Sequence, residues 1–222
     1  MNMTTHPSPV SAELETGLDA GLDTMGLAMP CDGRDKLLDY VALLVKWNAT
    51  YNLTAIRDPQ AMLASHLLDS LSIARYIKPG LLLDVGAGGG LPSIPLAIWA
   101  AAALPELRVT ALDSNHKKAA FLRQAKAELK LANLEVAPER VEAWQPSARF
   151  GQIVSRAFSD LYEFFHLTEH LAAPDAEWLA MKGVHPHEEI AQLPAQCRLD
   201  RVIALKVPGL DAERHLVVLK RP

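Results

Sequence analysis

Asp84, Gly86, Gly88 and Gly90 stand at alternate positions where an apolar run ends. Leu81-Leu82-Leu83 and Val85 surround the acid, and a long apolar stretch from Ile94 to Leu104 follows the last glycine. A buried strand, a tight turn and a helix are written this way in an α/β sheet. The glycines let the backbone turn sharply and let a ligand approach with no Cβ in the way. Such a turn sits at the carboxyl end of a parallel strand, where open α/β sheets bind ligands. A dinucleotide site asks for Gly-x-Gly-x-x-Gly, but position 91 is Leu, and no Gly-Lys-Ser/Thr follows to make a P-loop. A purely structural turn is the competing reading.

The spacing Asp84-x-Gly86-x-Gly88-x-Gly90 resembles the first motif of methyltransferases that use S-adenosylmethionine (SAM). SAM has no pyrophosphate, so glycines in such a loop need only cradle a ribose and an amino-acid tail. Asp113 ends the next strand, Val109 to Asp113. A carboxylate there offers two acceptor oxygens to a ribose diol. The same residue could instead cap the helix that begins near Ser114-Asn115-His116.

Other residues carry paired readings. Residues 114–131 hold Lys117, Lys118, Arg123, Lys126 and Lys130 against one acid, Glu128. This is either a solvated helix face or a surface for RNA phosphates. Val141 and Glu142, after the third strand, are placed to reach an adenine or are ordinary first-turn helix residues. Arg156 ends the fourth strand at the ligand edge. A buried arginine there implies a functional role or a structural ion pair. Lys182 ends the fifth strand as a phosphate contact or a solvent-facing strand end. His166-Leu167-Thr168-Glu169-His170 matches the H-x-x-E-H pattern of inverted zinc peptidases. It fixes only three residues and falls in a crossover helix, so no metal site is expected.

The elements that must position these residues follow from periodicity. Residues 1–30 form an acidic extension, expected to be disordered over 1–10 and helical from Ser11 to Leu27. Residues 31–79 form a helical lobe, with Asp32 or Asp35 capping one helix and Asp58-Pro59 starting another. Residues 80–222 form the α/β domain. Its strands are read at 81–86, 107–113, 134–138, 150–156 and 176–182, and its helices at 93–104, 115–131, 138–144 and 160–172. Two further runs, 199–207 and 214–220, have only a turn at Pro208-Gly209 between them. A parallel sheet ending in an antiparallel hairpin is therefore expected.

The chain has 222 residues, half of them apolar, with a net charge of −4. Residues 1–30 hold Glu13, Glu15, Asp19 and Asp23 without Lys or Arg, so the remainder is neutral. Bulk charge does not suggest wrapping of bare nucleic acid. Two cysteines make neither a disulfide framework nor a metal cluster. The longest apolar stretch is too short to span a bilayer, and no secretory signal opens the chain. A cytoplasmic protein with no membrane partner is expected.

Several blocks occur together. They are Trp47-Asn48 with Tyr51 to Ile56, His66 to Leu71, Asp84 to Pro92, Val154-Ser155-Arg156-Ala157, Leu179 to Gly183, and Arg214 to Val218. In this order they resemble the bacterial 16S ribosomal RNA guanine-N7 methyltransferase family, GidB or RsmG, over about residues 35–222. The resemblance implies a Rossmann-like seven-stranded SAM methyltransferase sheet, order 3-2-1-4-5-7-6 with the last strand antiparallel, and an N-terminal helical lobe. It implies SAM as cofactor, with contacts from Gly86, Leu91, Val141, Glu142 and Arg156, to which the reading of the residues adds Gly88 and Asp113. It implies methylation of a guanine in the 530 loop of 16S rRNA, free or in the small ribosomal subunit. Lys117, Lys118, Arg123, Lys126 and Lys182 would meet the RNA.

Guanine N7 carries a lone pair and no proton, so no general base is required and none is assigned. The family usually has Gly where Ser93 stands. Another RNA, a protein or a small molecule as methyl acceptor, or a non-catalytic RNA-binding module, are the alternatives. An NAD-dependent oxidoreductase is disfavoured by Leu91 and the terminal hairpin.

Overall fold

The computed structural model describes residues 12–156, 158 and 160–222. The expectation of disorder over 1–10 falls outside them. Helix α1 (Ala12–Met25) buries Leu14, Leu18 and Leu22, one residue per turn. Helix α2 (Cys31–Tyr51) begins directly after Pro30, whose φ of −67° leads into the helix without a side-chain cap. The expected caps are thus corrected. Asp32 sits in the first turn, 2.7 Å from Lys36 Nζ. Asp58 does cap the next helix, accepting the amides of Gln60 and Ala61.

That helix, α3 (Pro59–Met62), does not run on as a regular helix. It widens into a π-helical stretch (Leu63–Leu68) and then α4 (Asp69–Leu71). The wide turn accompanies three buried polar residues in a row of blocks, His66, Asp69 and Ser70. Such bulges concentrate at functional sites.

The sheet comprises β1 (Gly80–Val85), β2 (Leu107–Leu112), β3 (Leu134–Ala137), β4 (Phe150–Ser155), β5 (Ala172–Lys182), β6 (Arg198–Ala204) and β7 (His215–Lys220). Its order is 3-2-1-4-5-7-6, as expected. The pairs β2–β3, β1–β2, β1–β4 and β4–β5 are parallel, and β7 opposes both β5 and β6.

Side chains alternate between two cores. Leu82, Val109, Val154 and Val218 face α1, α2, α5 (Ser93–Ala103) and α6 (His116–Glu128). Leu83, Ile153, Trp178 and Val217 face α7 (Leu161–Thr168). A short α8 (His187–Ala191) follows β5.

Two expectations are corrected. Residues 138–144 are a single turn, with the amides of Ala143 and Trp144 donating to Arg140 O, not a helix. Helix α7 stops at Thr168, and β5 starts at Ala172 rather than 176. The Thr168 hydroxyl donates back to Phe164 O and accepts the Trp178 indole N–H at 2.8 Å, which ties the helix end to the strand.

Candidate methyl-donor site and its flanks

The glycine loop leaves β1 at Gly86, where φ is +73°. The amides of Gly86 and Ala87 both donate to Leu112 O at the end of β2, at 2.9 and 3.1 Å. The loop thus spans two strand ends. From the lobe, the buried Tyr40 hydroxyl donates to Gly89 O. No sequence pattern announces that contact, because the partners lie 49 residues apart.

Asp84 is fully buried beneath the loop. Its Oδ2 accepts the Ser93 amide at 3.1 Å, and Oδ1 has no hydrogen-bond partner among the described residues. Burial pushes its pKa up to about 6, against the pull of Ser93 and the Arg156 charge. The folded value therefore lies above the unfolded one, so the native state holds the extra proton in between. Stability falls as pH rises from about 4 to about 6 and stays lower above.

Asp84→Asn keeps an acceptor for Ser93 and removes the buried charge. We expect it to raise the melting temperature at pH 8, by at most about 3 kcal/mol of stability, with little gain at pH 4. Equal differences at both pH values in paired thermal melts would refute this.

Asp113 is 8% exposed and lies at the end of β2. Its Oδ2 accepts the Gly88 amide at 2.9 Å and its Oδ1 accepts the Asn115 amide at 2.8 Å. The helix cap itself is Asn115, which accepts the amides of Lys117 and Lys118. Each carboxylate oxygen keeps a second acceptor position. Next to it opens a cleft of about 310 Å³, lined by Gly86, Asp113, Ser114, Glu139 to Glu142, Phe158 and Leu167 among others. Four of the residues singled out from the sequence, Gly86, Asp113, Val141 and Glu142, meet there. Gly88 adjoins through its bond to Asp113. Phe158 and Leu167 were not singled out. They come from the far side of the cleft, after β4 and on α7, and carry no local signature beyond being apolar.

Leu91 is partly buried and packs into the core beneath the lobe, away from the cleft lining. Arg156 also turns to the lobe. Its Nη1 lies 3.3 Å from Asp69 Oδ2, and its guanidinium reaches Ser70 Oγ and Ser65 O at 3.4 Å. Arg214 Nε takes the other oxygen of Asp69 at 3.1 Å. One buried carboxylate at the start of α4 thus joins the lobe to the residues flanking β4 and β7.

His66 adds to this junction. Its Nε2 lies 2.8 Å from Thr54 Oγ1, and Asn48 holds the Thr54 amide and Ile56 O. Burial, with the Arg156 charge adding to it, keeps the imidazole below its ordinary pKa.

Of the remaining cations, Lys117 and Arg123 are exposed on α6. Lys118 Nζ is 4.0 Å from Asp113 Oδ2, and Lys126 is paired with Glu135 at 2.9 Å. Lys182 is held by Glu189 at 2.7 Å and by Phe158 O at 3.3 Å, its side chain 11% exposed. His166 stacks on Tyr162 and lies 3.8 Å from Glu169. Among the described residues no group of three His, Cys, Asp or Glu is placed to hold a metal ion. No helix among them is long and apolar enough to cross a membrane.

A family described as rRNA small subunit methyltransferase G (GidB) matches residues 34–217. The chain belongs to this family. A ribosomal RNA small subunit methyltransferase G of Pseudomonas aeruginosa (strain LESB58) is 55% identical over 205 residues, covering 92% of this chain and 94% of that protein. One from Laribacter hongkongensis is 54% identical over 206 residues, covering 93% and 98%.

Solved structures extend the likeness of fold. The O-methyltransferase TomG of Streptomyces achromogenes, in complex with SAM, has a TM-score of 0.55 at 18% identity, covering 95% of this chain and 99% of its own. TYW2 of M. jannaschii, in complex with AdoMet, has a TM-score of 0.53 at 14% identity, covering 69% and 75%. The blocks of the methyltransferase G family resemblance do not all fall in the cleft. His66 to Ser70, Arg156 and Arg214 converge instead on Asp69.

Proposed function

We propose that the chain transfers a methyl group from SAM to N7 of a guanine in the 530 loop of 16S rRNA, in the cytoplasm. The observation that carries the cofactor is the cleft between the glycine loop and Asp113. Three features suit SAM: a loop whose backbone is open to a ligand, a carboxylate with acceptor positions left for a ribose diol, and an apolar flank at Val141, Phe158 and Leu167 for a base. Family membership supports small-subunit rRNA as acceptor.

When bound, SAM supplies a methyl group already activated by its sulfonium. The chain's residues then have positioning work to do. Gly86 and Gly88 present backbone to the ligand, Asp113 takes the ribose, and Val141 with Glu142 borders the adenine. Arg156, fixed by Asp69, brings positive charge to the acceptor side. Leu91 shapes the loop from beneath. No base is needed, because N7 offers a lone pair, and alignment alone lowers the barrier by several kcal/mol. Lys117, Lys118, Arg123 and Lys126 on α6 face the RNA backbone. Lys182 acts through its ion pair with Glu189, steadying the β5 end beside Phe158.

The test is transfer of radiolabelled methyl from SAM to small subunits, naked rRNA and protein extract, followed by nucleoside mass analysis. New 7-methylguanosine in the small-subunit rRNA is the expected result, whereas label in protein or in another nucleoside overturns the reading. For the cofactor pocket, Asp113→Ala should weaken SAM binding by about tenfold or more, the usual loss for a charge-assisted hydrogen bond. Calorimetry giving an unchanged Kd would remove Asp113 from the site.

A further inference from the structure

Among the described residues the large hydrophobic side chains that stand exposed are Tyr51, Tyr162 and Val184. Tyr51, 43% exposed, ends α2 and is not free to swing. Its ring lies 5.1 Å from that of Trp47, tilted by 35°, and Trp47 is braced edge-on against Phe121 of α6 at 5.6 Å. Directly after it, Asn52 turns the chain with φ of +49°, and Asn48 holds the following loop through Thr54 and Ile56. An aromatic ring held rigid and left open to solvent loses little entropy when a second ring stacks on it.

Its position in the fold gives it a partner. Helix α6 begins where β2 ends, so its first turn lies at the carboxyl edge of the sheet, beside the cleft. The last turns of α2 meet α6 near its start. Trp47 meets Phe121, while farther back along α2 the Asp39 carboxyl is held above its ordinary value by burial and by the charges of Asp35 and Glu128. One turn beyond Trp47 is Tyr51, and one turn before Phe121 is Lys117.

Lys46 near the end of α2 and Lys117 and Lys118 in the first turn of α6 are the cations of this stretch. The nearby Gly89 carries the link further: a Cβ there would be 4.0 Å from Leu53, two residues past Tyr51. An exposed ring near a basic helix start suits an unpaired nucleic-acid base, since every base has a stacking face and a phosphate beside it.

We propose that Tyr51, braced by Trp47 against the α6 helix whose first turn carries Lys117, is a stacking platform for an unpaired base of the RNA substrate adjacent to the methylated one. This rests on the reading of small-subunit rRNA as acceptor. The platform positions the RNA and takes no part in the transfer itself.

The test uses the full chain with small ribosomal subunits lacking the modification and radiolabelled SAM. Tyr51→Ala should raise KM for the RNA by about tenfold, the usual loss of one base–aromatic stack, with kcat, SAM affinity and melting temperature unchanged. Tyr51→Phe, which keeps the ring, should behave as the wild type. An unchanged KM in Tyr51→Ala overturns the platform, as does an equal loss in Tyr51→Phe. A parallel fall in SAM affinity overturns it by assigning Tyr51 to support of the glycine loop. If wild-type protein binds SAM yet methylates no small-subunit RNA, the parent reading fails and the platform with it.

Discussion

Asp69→Ala should destabilise the protein by about 2–4 kcal/mol, at the lower side of what removing one member of a buried ion pair costs. The carboxylate is 3% exposed and serves two guanidiniums, each about one quarter exposed at 25% and 26%. Water reaching those arginines discounts the loss. For a chain of this size the melting temperature should drop by roughly 5–15 °C. Methyl transfer should fall as well, because Arg156 loses the group that orients it. Arg214→Ala should cost less than Asp69→Ala, since Arg156 still pairs with the carboxylate. Thermal melts of both single variants and of the double variant decide the matter. If Asp69→Ala melts within a degree of wild type, the three-residue junction does not hold the lobe to the sheet.

Gly90→Ala is the second large effect. Gly90 has φ of +85°, a conformation that side chains strain to adopt. A Cβ there would also overlap Ile94, whose Cγ1 would lie at 2.7 Å, and would press on Leu122 Cδ2 at 3.1 Å. Ile94 opens α5 and is fully buried, so it has nowhere to retreat. Backbone strain of about 1–3 kcal/mol adds to an overpacking cost of about 1–3 kcal/mol. The loop can relieve both only by moving Gly86 and Gly88, so SAM affinity should fall along with stability. Calorimetry and denaturant unfolding on the same sample measure the two. Retained SAM affinity in a well-folded Gly90→Ala protein would mean that the loop does not set the pocket.

How much of this was legible in the sequence depends on the distance between interacting residues. The strand entering the glycine loop is local: an apolar run, one acid and alternating glycines write it outright. The terminal hairpin is legible because no helical pattern separates 199–207 from 214–220. The turn at 138–144 reads as a helix in the sequence because spacing over seven residues cannot tell one turn from two.

The tertiary pairings were the hidden part. Arg156 was suspected of needing a partner, but Asp69 lies 87 positions earlier, in a helix whose π-helical widening no periodicity announces. Lys182 reads as a strand-end cation, whereas Glu189, seven residues on, folds back to meet it. Gly86, Asp113, Val141 and Glu142 gather at one cleft because each sits just past the end of a strand, a placement that strand prediction alone supplies.

The strand order has a consequence for how the molecule comes to exist. Strand β7, the last of the sheet in chain order, inserts between β5 and β6, both made earlier. Until it arrives, β6 has no neighbour and β5 has an open edge of unpaired amides and carbonyls. Arg214 and His215, at the start of that strand, bring the second guanidinium to Asp69 only then. The Asp69 junction is therefore completed only with the last strand of the sheet in chain order. A chain cut short by even one strand would carry the whole glycine loop and still lack a closed sheet.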